Sequence, residues 1–215
     1  MNAINPDIAL VQTDGPIRPD LRLIAEMVPQ GARVLDIGCG DGALLEYLVR
    51  HKGVDGRGIE LNQERVAVGI GRGLAVIQGD ADTDLDDYPE GAFDLCILSQ
   101  TIQATRAPDK VLANLVRIGK AAIVSLPNFG SWRMRLSLLL NGRMPVTRTL
   151  PNSWYETQNI HFCTVRDFVT LCHDLGIRIE QSEGLDPRGR ICSRDATRGL
   201  ANLRCDQAIF LLSKR

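Results

Sequence analysis

Residues 34–42 read VLDIGCGDG, and the fold is decided by what this stretch can be. A short apolar run meets glycines at Gly38, Gly40 and Gly42, with Ala43 next. The run has the length and composition of a buried strand, and the glycines mark a tight turn into a helix. Residues 38–43 also fit G-x-G-x-x-A, a spacing shared with dinucleotide-binding turns. The acids Asp36 and Asp41 leave a second reading open, in which the turn faces a cationic ligand.

Working outward, Leu44, Leu45, Leu48 and Val49 recur at helical spacing and predict a helix over 43–52 with these four facing inward. GRGIEL is a second strand ending at Glu60, followed by a helix over 63–72. LAVIQGD is a third strand and FDLCILS a fourth, apolar almost throughout, as a strand covered on both faces must be. Pro108 opens another helix, and AAIVSLP is a fifth strand. Upstream, residues 1–17 have weak periodicity and read as an extended arm. Asp20 is expected to cap a short helix that turns Leu21, Ile24, Ala25 and Val28 inward, with Pro29 and Gly31 stopping it.

After Pro127 more than thirty residues pass before the next helix, near 165–175, a length that compact domains reserve for lids and binding segments. Within it, GSWRMRLSLLLNGRMP places Trp132, Leu136, Leu139 and Leu140 on one face of a short helix, with Arg133 and Arg135 off that face. Residues 128–163 are therefore read as an inserted lid or docking segment. The chain closes with two strands, GIRIEQSEGL and CDQAIFLLS, separated by an Arg-rich loop over 188–204. The expectation is an α/β fold with a doubly wound, mostly parallel, seven-stranded sheet, forming one domain over 18–215.

Composition bounds the function. The chain has 215 residues, 44% hydrophobic and 24% charged, with a formal net charge of -1. No global field recruits nucleic acid or an anionic membrane. Charge is uneven, however: residues 80–94 hold seven acids and no base, and residues 110–148 hold seven bases and no acid. The six cysteines, Cys39, Cys96, Cys163, Cys172, Cys192 and Cys205, form no C-x-x-C pair. All six are expected to be free thiols in a reducing compartment, with no metal site. No secretory leader or membrane span is legible, so a cytoplasmic location is expected.

In a doubly wound sheet, ligands sit outside the carboxyl ends of the strands. Three acids fall there: Asp36, Glu60 and Asp80. A pyrophosphate would be opposed by Asp36 and Asp41, whereas S-adenosylmethionine (SAM) carries a cationic sulfonium and ammonium and no phosphate. Asp36 suits the ammonium, Glu60 the ribose hydroxyls and Asp80 the adenine amino group, with the Ala81 N–H facing the ring. The candidate cofactor site, for SAM or S-adenosylhomocysteine, is Asp36, Gly38, Cys39, Gly40, Gly42, Glu60, Leu61, Asp80, Ala81 and Ser99.

The motifs VLDIGCGDG, GIELN and GDAD resemble those of class I SAM-dependent methyltransferases. LSQTIQATRAPDKVL, AIVSLPNFGSWRMRLSLLLNGRMPVT and WYETQNIHFCTVRDF narrow the match. Over about residues 17–184 the chain is similar to the methionine biosynthesis protein MetW family. Gln158 stands where that family is expected to carry proline. The resemblance implies a Rossmann-like fold and a protein partner, homoserine O-acyltransferase, whose activity this type of subunit supports. It does not by itself establish methyl transfer.

No catalytic signature is sharp. His161 is the foremost acid–base candidate, with Tyr155 and Glu156 behind it, and Gln100 and Gln103 are expected to line the pocket floor. The fourth strand ends in LSQTIQ, not N-P-P-Y or D-P-P-Y, which disfavours amines of nucleic-acid bases. No G-x-S-x-G elbow is present for acyl transfer. Two functions stay open: a SAM-binding accessory subunit, or a small-molecule methyltransferase.

Overall fold

The strand FDLCILS, β4 (Phe93–Ser99), shows how this sheet is built. Leu95 and Ile97 pack on one face against Leu21 and Ile24 of α1 (Pro19–Met27) and Leu44 and Leu48 of α2 (Ala43–Lys52). Cys96 and Leu98 pack on the other face with Leu112 and Leu115 of α4 (Pro108–Ile118) and Phe168 and Cys172 of α6 (Val165–Asp174). Both faces are buried, so nearly every position must be apolar. The computed structural model describes residues 17–147, 152–157 and 159–215. The expected N-terminal arm, Ile17 apart, and Gln158 lie outside the described residues.

The remaining elements are β1 (Arg33–Ile37), β2 (Asp55–Glu60), α3 (Gln63–Gly71), β3 (Ala75–Gln78), β5 (Gly119–Pro127), α5 (Trp132–Asn141), β6 (Ile177–Leu185), β7 (Ile191–Ser193), α7 (Ala201–Arg204) and β8 (Gln207–Lys214). The sheet order is β3-β2-β1-β4-β5-β8-β6-β7. The first five strands run parallel, and β8 is antiparallel to both β5 and β6. The chain winds outward from β1 to β3 and then returns to place β4 on the other side of β1. The crevice at this reversal is where such sheets take ligands.

The doubly wound α/β expectation holds, with four corrections. The sheet has eight strands, not seven. The addition, β7, is three residues of the Arg-rich loop that pair with the end of β6. α7 also falls in that loop. Asp20 does not cap α1: Arg18 holds the N-cap position and Pro19 the first turn, where its fixed φ suits a helix start. The Asp20 carboxylate, nearly buried, accepts from the Arg18 guanidinium at 2.9 Å. Val49 sits at the edge of the α2 stripe and is 38% exposed. Finally, Cys192 and Cys205 are joined as a disulfide, leaving Cys39, Cys96, Cys163 and Cys172 free. Thirteen residues separate the pair in sequence, and β6 brings them together by pairing with β7 on one side and the start of β8 on the other.

One buried side chain fastens the C-terminal half. Asn128 follows β5 and is fully buried. Its Nδ2 donates to the carbonyls of Asn202 and Cys205, at 2.8 and 2.7 Å. Its Oδ1 accepts from the N–H groups of Gly130 and Val165, at 2.9 and 3.2 Å. The side chain thus joins the start of α5, the start of α6 and the approach to β8. Asn128→Ala strands the buried Cys205 carbonyl and two buried amides, each costing about 1–3 kcal/mol, and the half-buried Asn202 carbonyl, so a loss of at least about 3 kcal/mol is expected in urea unfolding. A loss below about 1 kcal/mol would show that the latch is dispensable.

Candidate functional site

The glycine turn is shaped by close contacts. Gly38 and Gly42 have φ of 68° and 81°, in the left-handed region. A Cβ on Gly38 would lie 2.6 Å from Thr101 Oγ1, and one on Gly42 2.5 Å from Leu74 Cδ1. Only glycine satisfies both the conformation and the space. Gly38 and Cys39 donate their N–H groups to the Ile59 carbonyl, at 2.8 and 3.1 Å, which holds the turn on the end of β2.

Glu60, the last residue of β2, completes the turn. Its Oε2 accepts from the Gly40 N–H at 2.8 Å and its Oε1 from the Asn62 N–H at 2.9 Å. Asn62 in turn caps α3, its Oδ1 accepting from Glu64 and Arg65. Each carboxylate oxygen keeps capacity for a second donor. Leu61 beside it is 63% exposed, an apolar surface left uncovered at this edge. Asp36 lies in β1, 2% exposed. Burial, and then the Glu60 charge, push its carboxyl up to about 7. The Cys39 thiol is likewise pushed far up by burial and by these two carboxylates, so it is no nucleophile.

Asp80 follows β3. Its Oδ1 accepts from the Asp82 N–H, and its Oδ2 from the Arg106 guanidinium at 2.6 Å. Asp82 accepts the N–H groups of Arg106 and Ala107 at the start of α4. Burial alone would raise the Asp82 carboxyl, but these donors outweigh it and hold it below the usual carboxylate range. Ala81 is partly buried against the core. Arg106 was not legible as a site residue. Its signal is indirect: an acidic run without bases needs a cation from elsewhere, and Arg106 lies two residues before α4, in the segment whose amides Asp82 holds.

At the end of β4, Ser99 Oγ lies 3.2 Å from Ser125 Oγ. Gln100 has φ of 54°, the single non-glycine residue with positive φ among the described residues. Its N–H donates to the Ser125 carbonyl at 3.0 Å. Gln103, 4% exposed, donates Nε2 to the Gln100 carbonyl at 2.7 Å. The Gln103 carbonyl accepts from both Ile160 and His161 N–H. His161 is thereby drawn to this ledge, and Thr101 packs the ledge against Gly38. Three buried side-chain atoms here have no partner among the described residues: Gln100 Nε2, Gln103 Oε1 and His161 Nε2. Tyr155 and Glu156 stand instead on an exposed turn, with Tyr155 70% exposed and edge-on to Trp154. A separate groove of about 680 Å³, lined by Arg33, Arg57, Tyr88 and Phe93, lies toward the amino ends of the strands, away from these residues.

This geometry can be set beside known proteins. The profile described as "Methionine biosynthesis protein MetW" matches residues 18–212. The chain belongs to the MetW family. A bifunctional methionine biosynthesis protein MetXA/MetW of Rhodopirellula baltica is 31% identical over 180 residues, covering 80% of this chain and 29% of that protein. Ajmaline N-methyltransferase of Rauvolfia serpentina is 26% identical over 172 residues, covering 74% of this chain and 57% of the enzyme. The chain thus spans less than two thirds of either relative. A SAM-dependent methyltransferase of Thermotoga maritima, a possible histamine N-methyltransferase, superposes with a TM-score of 0.67 at 18% identity. That match covers 92% of this chain and 88% of the other. The fold is that of the SAM-dependent methyltransferases, and the family is one of methionine biosynthesis.

Asp36 makes stability depend on pH in a defined direction. Its folded carboxyl titrates at about 7, against about 3.9 in an unfolded chain. Between these values the folded state binds the extra proton, so this group's contribution is full below about pH 4 and lost as pH rises through about 7. Asp36→Asn should gain stability relative to the parent on going from pH 5 to pH 8, by up to about 2.5 kcal/mol. Parallel pH–stability curves for the two ligand-free proteins would refute the assignment.

Proposed function

We propose that this chain binds SAM or S-adenosylhomocysteine at the glycine turn and serves as an accessory subunit of a homoserine O-acyltransferase. The observation that carries the partnership is the Rhodopirellula baltica relative, whose MetXA and MetW names share one protein. We read its MetXA unit as the acyltransferase. Fusion holds two units at high effective concentration. A separate MetW chain needs an interface to do the same.

The ligand assignment rests on charge and on the use of backbone donors. Asp36 and Glu60 are buried beside each other, an environment that favours a cation. The Gly40 N–H, which a pyrophosphate would need, is already directed at Glu60. In this reading Glu60 holds the ribose hydroxyls, Leu61 covers an adenine face, and Asp80 and Ala81 meet the adenine edge once Arg106 yields. When bound, SAM supplies an activated methyl group.

One observation favours a second reading, a small-molecule methyltransferase. The unpartnered atoms of Gln100, Gln103 and His161 offer a donor, an acceptor and an imidazole to an uncharged polar acceptor. His161 Nε2 would take the proton that a hydroxyl or amine releases. Methyl-group release into a metabolite extract, lost in His161→Ala, would support this reading.

Calorimetry tests the ligand. Glu60→Ala removes hydrogen bonds to a charged group worth about 1.5–3 kcal/mol each, so SAM affinity should fall at least about tenfold. No binding by the parent chain, or unchanged affinity in a folded Glu60→Ala, would overturn the assignment. Acyltransferase rates measured with and without the chain test the accessory role, and an unchanged rate would overturn it.

A further inference from the structure

We propose that Gln100 anchors the carboxylate of SAM through its side-chain amide and so fixes the amino-acid end of the cofactor. The proposal rests on the SAM reading and deepens it. Asp36, Glu60 and Asp80 leave that carboxylate without a partner, since each is itself an acid. The sheet order says where a partner must stand. β3, β2, β1 and β4 are consecutive neighbours. In the SAM reading the adenine lies at the end of β3, the ribose at the end of β2 and the ammonium at β1. The carboxylate shares a carbon with the ammonium, so it falls within about one strand spacing of β1. On the side away from the ribose that is the end of β4, at Ser99, with Gln100 next.

The neighbouring donors are already engaged. The Gly38, Cys39 and Gly40 N–H groups go to Ile59 and Glu60. Thr101 Oγ1 donates to the Ser99 carbonyl at 2.9 Å, Arg72 to Asp41 and Arg106 to Asp80. Gln100 Nε2 is a buried donor with no partner among the described residues. Such a donor has lost its water without a return, and an anion at the crevice restores the bond. The residue as a whole is partly exposed, so a turn of its side chain brings the amide to the crevice with the backbone unmoved. His161 Nε2 carries a hydrogen in only one neutral tautomer, whereas a side-chain amide always has two N–H donors. Gln103 Oε1 is an acceptor and cannot hold a carboxylate.

The backbone shows that a side chain is kept here at a cost. The Gln100 φ of 54° is one that glycine enters freely and other residues rarely. Its surroundings hold it there. The Gln100 N–H donates to the Ser125 carbonyl and hydroxyl, at 3.0 and 3.1 Å, and the Gln100 carbonyl accepts from Gln103 Nε2 at 2.7 Å. All of these bonds use main-chain atoms of Gln100, so glycine would keep them and relieve the conformation. Strain held in place by its surroundings gathers at functional positions. What glutamine adds to this one is the amide.

Titration calorimetry on the full chain compares SAM with decarboxylated SAM, which keeps the nucleoside, sulfonium and ammonium and lacks the carboxylate. Gln100→Gly should melt close to or above the parental temperature, because its φ suits glycine. Its SAM affinity should fall at least about tenfold, while its affinity for decarboxylated SAM stays at the parental value. Gln100→Glu sets one carboxylate against another, so its SAM affinity should fall further and its affinity for decarboxylated SAM should not fall. The ratio of the two affinities within one variant is the readout, since a general loosening of the site leaves that ratio unchanged. A parental ratio in Gln100→Gly overturns the proposal, whether or not SAM binding has weakened, while the SAM reading stands on the binding of the parent. Should Gln100→Gly fail to fold, the ratio in Gln100→Glu decides in the same way. A parent that binds no SAM overturns the SAM reading and the proposal with it.

Discussion

Two carboxylates held out of water beside each other set the terms for the ligand edge of this sheet. Asp36 is fixed by its place in β1, between β2 and β4. It cannot swing into solvent without breaking the sheet. Glu60 is fixed by the two backbone amides it accepts. Like charges so placed are relieved by a proton or by a cation, and the raised Asp36 carboxyl is the proton's share of that relief. The same constraint decides the question raised by the glycine turn. Its spacing admits a dinucleotide, but its acids and the engaged Gly40 amide do not favour one. Spacing alone describes a turn, whereas charge describes what the turn can hold.

Much of the fold was legible because its rules act locally. Strands covered on both faces must be apolar at consecutive positions, and β4 and β5 are. Turns with positive φ need glycine, so Gly38 and Gly42 announced the end of β1 and the start of α2. β7 was not legible, because three largely exposed residues carry no pattern. The disulfide was hidden for a related reason. Spacing rules see neighbours in sequence, and Cys192 meets Cys205 only through sheet pairing. Asn128 illustrates the limit best. A single Asn after a strand looks like a turn residue, yet it satisfies four backbone groups at the starts of α5 and α6 and on the approach to β8.

The candidate site divides along the same line. The acids at the strand ends could be placed from the sequence, since the sheet puts every strand end on one edge. Arg106 could not, because its pairing with Asp80 depends on how α4 is set against the loop after β3. His161 was identifiable as a rare histidine in a long segment. Its link to the ledge runs through the Gln103 carbonyl, a backbone contact that no side-chain pattern reports. For α5 the sequence showed an apolar stripe but could not fix its direction. Periodicity tells which residues share a face, and only packing tells whether that face meets the chain's own core.

β5 connects the ligand edge to the stem of α5. Ser125 accepts the Gln100 N–H through its carbonyl and again through its hydroxyl, at 3.0 and 3.1 Å. Two buried residues later, past Leu126 and Pro127, Asn128 begins the latch. The end of β5 is paired with β8 through Pro127, and with β4 as far as Ser125. A strand held on both sides does not bend to report a ligand at one end. The route that remains is the Gln103 carbonyl, which holds residues 160 and 161 by two amide bonds and so ties the segment after α5 to the ligand edge. Presentation of α5 is therefore built into the sheet, while residues 160 and 161 hang on the ledge at the strand ends. α5 and the strand-end crevice thus stand side by side on one fold, each held by its own contacts.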